Sequence, residues 1–129
     1  MSGWMWLRIG AMSGFLAVAA GAFGAHGLDG KIEPRRLANF DTAATYQMYH
    51  ALALLAVGLL AASGRSGMAV TVAGWGFLVG TLIFSGSLYA LALTGERRLG
   101  MITPFGGLAF LVGWAALAVA AKGAGPGSP

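Results

Sequence analysis

The residues able to do chemistry are few, and they gather near one end of the expected helices. They are His26, then Tyr46, Gln47, Tyr49 and His50, then Ser85, Ser87 and Tyr89, and finally Thr103. Three kinds of chemistry suit such a set. The groups could hydrogen-bond to one another across helices and fix a bundle. His26, Tyr46, Gln47, His50, Ser85 and Thr103 could instead line a polar pocket for a small amphiphile, a lipid headgroup or a transported solute. His26 and His50 on two helices are also the minimal arrangement for a haem iron, although their expected heights in the bilayer differ by about 12 Å. Catalysis has less to draw on. There is no cysteine, no acidic residue inside an apolar run, no zinc-binding histidine spacing, no Gly-x-Ser-x-Gly elbow and no phosphate-binding Walker loop. Ser85-Gly86-Ser87 reads as a polar close-packing site, because no acid is positioned to orient a base. The expectation is a protein that is not an enzyme and carries no cofactor and no metal.

The elements that must position these residues follow from charge. The chain has 129 residues, 57% of them hydrophobic and 9% charged; its mean hydropathy is +0.75. Soluble domains carry roughly 25% charged residues, so an ordinary cytosolic enzyme, a disordered tail and a free nucleic-acid-binding module are excluded. The net charge of +4 does not restore a nucleic-acid reading, because the basic residues are spread singly or in pairs between apolar runs. A hydrocarbon layer about 30 Å thick needs about 20 apolar residues in helix. Four stretches free of Asp, Glu, Lys and Arg meet that length: Ile9 to Leu28, Thr42 to Gly64, Ser66 to Gly95 and Leu99 to Ala121. The fold class is all-α, a four-transmembrane-helix bundle forming a single integral membrane domain over residues 1–129. Helices are expected at about 5–28, 42–63, 67–94 and 103–121, with a flexible tail at 123–129. The first run is longer than the core of a signal peptide and is expected to remain as a helix.

Local chemistry sets the expected boundaries. Asp41 and Thr42 can cap the second helix, and Thr103-Pro104 can open the fourth. Pro34 could start a short interfacial helix, with Leu37 and Phe40 toward lipid and Arg35 and Arg36 toward phosphates. Arg97 and Arg98 on the other loop are expected to make the same headgroup contacts. Four spans put both termini on one side. The two loops hold Lys31, Arg35, Arg36, Arg97 and Arg98, against Arg8, Arg65 and Lys122 on the terminal side, which favours external termini. Asp29, Glu33, Asp41 and Glu96 pull the net charge the other way.

Sliding the sequence by 62 positions aligns the first two spans with the last two, with about 13 identities in 52 positions, including Arg35-Arg36-Leu37 against Arg97-Arg98-Leu99. Biased composition is one source of such a match; two parallel two-helix repeats, forming a pseudo-twofold bundle, are the other. Small residues spaced by four, Gly10 and Gly14, Ala17, Gly21 and Ala25, Gly76 and Gly80, are expected to pack helices within the chain. The same spacing would also serve a second copy or another membrane protein.

Four ordered motifs carry a resemblance: Gly21-Ala22-Phe23-Gly24-Ala25-His26-Gly27-Leu28, Tyr46-Gln47-Met48-Tyr49-His50-Ala51-Leu52-Ala53, Phe84-Ser85-Gly86-Ser87-Leu88-Tyr89 and Ile102-Thr103-Pro104-Phe105-Gly106-Gly107. They resemble the small membrane proteins of the "domain of unknown function 423" family, whose animal relatives are called transmembrane protein 256. The resemblance implies a bacterial inner-membrane protein of four helices and supplies no reaction or ligand. An accessory or structural role in the bilayer is the leading expectation, followed by the amphiphile-binding or transport pocket, then haem binding.

Overall fold

The computed structural model describes residues 2–65 and 67–122; the segment expected as a tail, 123–129, lies outside them. The first helix runs Gly3–Leu28, the second Pro34–Ala62 and the third Met68–Thr94. The fourth runs Thr103–Ala121, preceded by a 3₁₀ turn at Arg97–Met101. No strand occurs among the described residues. All four helices are long and apolar enough to cross a membrane, and short connections make sequential neighbours antiparallel.

The second helix departs most from expectation. It starts at Pro34 and continues without a break for 29 residues, so Asp41 and Thr42 lie inside it and cap nothing. The expected separate interfacial helix is its first two turns. The cause is packing. Phe40 is buried with Leu28 and Ala92, and Leu37 and Tyr89 pack against that cluster rather than toward lipid. Phe40 also meets Phe23 and Tyr89 edge-on, with ring centroids 6.1 and 4.9 Å away. Folding the segment into helix buries this aromatic core and makes the helix about 43 Å long, well beyond a hydrocarbon layer of about 30 Å. At the fourth helix, Pro104 occupies the first turn, but the Thr103 hydroxyl does not cap it.

Close backbone approach holds the pairs together. Gly3, Gly10, Ala17 and Gly24 are buried at seven-residue intervals along the first helix. A Cβ on Gly10 would stand 2.9 Å from the Ala51 carbonyl oxygen. The expected four-residue stripe ending at Ala25 does not form: a Cβ on Gly21 meets nothing within 4 Å, and Ala25 is exposed. A period of seven keeps one stripe against a partner over many turns; the shorter spacing drifts off that line. In the second pair, a Cβ on Gly76 would stand 2.9 Å from Gly113 Cα, and Gly106 lies against the Phe84 backbone.

The two hairpins share a register. Gly14 faces Ala51, and the positions 62 further on, Gly76 and Gly113, face one another. The bundle as a whole is less symmetric. The second and third helices pack together at the centre, with 50% and 39% of their most apolar stretches buried against 17% for each of the other two. A twofold relation would demand an equal interface between the first and fourth helices, and the described residues build none comparable. Trp6 reaches from the first helix to the third, lying over Gly74 and 5.5 Å edge-on from Trp75.

Gly76→Val tests this packing, because the new side chain meets backbone that cannot step aside. We expect it to lower stability by about 1–3 kcal/mol, read as a drop in melting temperature in detergent. Gly21→Ala should leave melting unchanged.

Candidate functional site

The second helix carries three of the six expected pocket residues, and its central position decides where they point. Tyr46 and His50 are four apart and lie on one face. Gln47 and His50, three apart, differ by about 60° around the axis, enough on a central helix to aim at different neighbours. The pocket expected from the sequence is accordingly divided. Because the helix begins at Pro34, Gln47 lies about 20 Å along it, near the middle of the helix rather than in its first turns.

Gln47 joins three helices. Its Nε2 donates to the backbone oxygen of Ser13 at 3.1 Å and to Ser13 Oγ at 3.3 Å. Its Oε1 accepts from the Tyr89 hydroxyl at 2.6 Å. These partners fix which way the amide faces, since a carbonyl can only accept and only the amide nitrogen can donate to it.

His50 faces the fourth helix. Its Nδ1 lies 2.7 Å from the Tyr46 carbonyl oxygen, and its Nε2 accepts from the Trp114 indole N–H at 3.1 Å. The carbonyl requires a proton on Nδ1 and the indole requires a lone pair on Nε2, so the ring is the neutral Nδ1–H tautomer. The imidazole stacks on Phe110, with centroids 3.5 Å apart and planes 7° from parallel. Haem ligation does not fit: both ring nitrogens of His50 are engaged, while His26 is exposed near the end of the first helix.

The remaining polar residues form separate links. Ser85 Oγ donates to the Ala43 carbonyl at 2.8 Å and ties the third helix to the second. A π-helical turn at Thr81–Ser85 carries that hydroxyl. The Ser87 and Thr103 hydroxyls share a hydrogen bond of 2.6 Å between the third and fourth helices. Among the described residues no buried side-chain nitrogen or oxygen lacks a partner. The side chains of Gln47, His50, Ser85 and Thr103 are thus hydrogen-bonded in four separate places; Tyr46 takes part through its backbone carbonyl and its ring, stacked on Phe84, and His26 joins none of them. Of the four arginines expected at headgroups, Arg35, Arg97 and Arg98 are exposed. Arg36 reaches inward, donating from Nε to the Ala92 carbonyl at 2.7 Å and from Nη2 to the Leu93 carbonyl at 3.0 Å.

Sequence reasoning missed Ser13 and Trp114. A signal existed for both: Ser13 is a lone hydroxyl amid the first apolar run, and a tryptophan deep in a span carries an N–H that hydrocarbon cannot satisfy.

The second and fourth helices leave a groove of about 650 Å³ between them. Tyr46, Tyr49, His50, Phe84, Phe110 and Trp114 are among its lining residues. It is apolar apart from the rims of these rings and opens sideways, toward where lipid chains would lie.

A family described as "Protein of unknown function (DUF423)" matches residues 20–107. The chain is 48% identical over 116 residues to a UPF0382 membrane protein of Staphylococcus epidermidis, covering 90% of this chain and 93% of that one. It is 47% identical to the UPF0382 membrane protein YwdK of Bacillus subtilis, covering 91% and 95%. A UPF0382 membrane protein of Haemophilus influenzae is 46% identical, covering 88% and 90%. No solved structure matches the chain.

Trp114→Phe would leave His50 Nε2 without a donor while keeping an aromatic ring. We expect a loss of about 1–2 kcal/mol, measured by thermal unfolding in detergent. Combined with His50→Ala, the losses should add up to less than their sum, as for groups in direct contact. Strict additivity would show that the bond does not form.

Proposed function

Because the chain belongs to the DUF423 family of membrane proteins, we propose that it works without catalysis, as an accessory or structural protein of the bilayer. One observation carries this reading: among the described residues every buried side-chain nitrogen and oxygen is already hydrogen-bonded within the protein, and the bonds at Gln47, Ser85, Ser87 and Trp114 run from helix to helix. A catalytic site keeps at least one group free to exchange partners, whereas here even the imidazole has both nitrogens committed. We place the protein in the bacterial inner membrane with its termini external, on the excess of Lys and Arg in the Lys31 and Arg97 loops. A second copy or another membrane protein would meet it on the exposed faces of the first and fourth helices.

Paired substitution tests the reading. Gln47→Leu with Tyr89→Phe removes a hydrogen bond from both sides and leaves apolar groups of similar shape. Where the double variant still folds, it should complement a host strain deprived of its own family member. Folded protein that fails to complement would overturn the non-catalytic role.

The lateral groove favours a second reading, a module that takes up the apolar part of a small amphiphile. Its volume falls within the range of about 300–1,000 Å³ usual for small-molecule sites. Gly107 lines it, and a Cβ there has open space, with Phe84 Cδ2 at 4.0 Å. Gly107→Leu should fill the groove without disturbing melting. Mass spectra of the detergent-purified protein should then lose an amphiphile that the unaltered chain retains. Equal retention by the two, or none by the unaltered chain, removes this reading.

A further inference from the structure

A different cavity lies at the loop end of the bundle, between the start of the second helix and the end of the third. It measures about 500 Å³. Arg35, Arg36 and Arg97 line it together with Asn39, and Glu33 is the one acidic residue among the lining groups. Leu91 and Gly95 form its apolar side. Three positive charges against one negative leave a site that is strongly basic for a chain with only eight Lys and Arg in all.

The three arginines are held differently. Arg36 is fixed: two of its nitrogens bond the last carbonyls of the third helix, at Ala92 and Leu93. Gly95, in the left-handed conformation at φ +74°, brings the chain end against the same guanidinium, so that a Cβ there would stand 3.6 Å from Arg36 Cζ. Arg35 and Arg97 flank it from two different elements, the first turn of the second helix and the 3₁₀ turn. Neither appears in an ion pair or a side-chain hydrogen bond among the described residues. The one salt bridge there joins Arg98 to Glu96, 3.7 Å apart and well exposed. Glu33, although beside the arginines, caps no amide of the helix it precedes.

Depth identifies the ligand's chemistry. A helix of about 43 Å overshoots the hydrocarbon by roughly 13 Å, which puts its first turns among the headgroups. Guanidinium groups present paired donors that match the oxygens of a phosphate. Basic pockets between helices at this level select anionic lipid headgroups.

We propose that this cavity binds a phosphate-bearing anionic group, with Arg36 as the fixed anchor and Arg35 and Arg97 as flanking donors. The site is independent of the accessory reading and of the lateral groove; it rests on this cavity alone. Arg98 stands outside it.

The test uses the full chain in a neutral detergent, titrated with phosphatidylglycerol or phosphatidylcholine and read by native mass spectrometry. Phosphatidylglycerol adducts should exceed phosphatidylcholine adducts roughly tenfold, the scale expected for two or more basic contacts. In R35Q/R97Q the preference should fall to near unity, while R98Q keeps it. Neither Arg35 nor Arg97 holds another part of the chain, so melting should not change; if the double variant does melt lower, R97Q alone is read in its place. A competition with millimolar inorganic phosphate separates the sources. Displacement of the lipid shows that the phosphate group itself is recognised. No displacement assigns the site to a lipid phosphodiester. The proposal is overturned if phosphatidylglycerol shows no preference, if the arginine variants retain it, or if R98Q loses it equally, which would mean general surface charge only.

Discussion

Hydrocarbon neither donates nor accepts hydrogen bonds, and it gives apolar helices no reason to leave it for one another. Every feature of this bundle answers one half of that constraint. Helices associate only where backbones come close enough for dispersion to exceed what lipid chains offer, so glycine lines the contacts: Gly3 against Gly58, Gly10 against Ala51, Gly76 against Gly113. Polar side chains enter where a partner waits, on neighbouring helices as for Ser13, Gln47 and Tyr89, or one turn back on their own, as Thr81 with the Phe77 carbonyl. The two devices depend on one another. Without close approach Gln47 could not reach two helices, and without its bonds the helices could slide along their smooth glycine stripes.

The second helix concentrates both devices because it touches all the others. It meets the first through small residues, the third through Ser85 at the Ala43 carbonyl, and the fourth through His50 and Trp114. Its length has the same origin. The aromatic cluster at Phe40 rewards extending the helix past the hydrocarbon layer, and that extension puts Tyr46, Gln47 and His50 at the middle of the helix rather than in its first two turns.

Much of this was legible in the sequence. The four spans follow from the gaps between charges, and the start of the third helix and the end before Gly95 follow from Gly64, Gly67 and Gly95, all at positive φ. The start of the second helix was not legible, because Arg35, Arg36 and Asp41 look like residues outside a membrane and are in fact on a helix longer than the hydrocarbon layer is thick. The candidate site was legible as residue types and not as an arrangement. Gln47, His50, Ser85 and Thr103 each make a side-chain hydrogen bond, but a spacing of three on a helix says "neighbours" only when a single partner faces it. With partners on three sides, the same spacing separates Gln47 from His50. Trp114 and Ser13 went unread because a partner across helices leaves no trace in local spacing.

Charge is treated at the ends as polarity is treated in the middle. The last carbonyls of a helix have no partners within it, and near a membrane surface they compete for scarce donors. Arg36 satisfies those of the third helix at Ala92 and Leu93, and Arg65 donates to the Ala120 carbonyl at the end of the fourth. Each arginine thereby fastens one helix end to a segment beside the second helix, Arg36 in its first turn and Arg65 just past its last. Positive charge at a helix C-terminus also opposes the helix dipole favourably. The second helix is therefore held at its start, along its middle and beyond its end, by a different interaction at each level, and the other three take their positions from it.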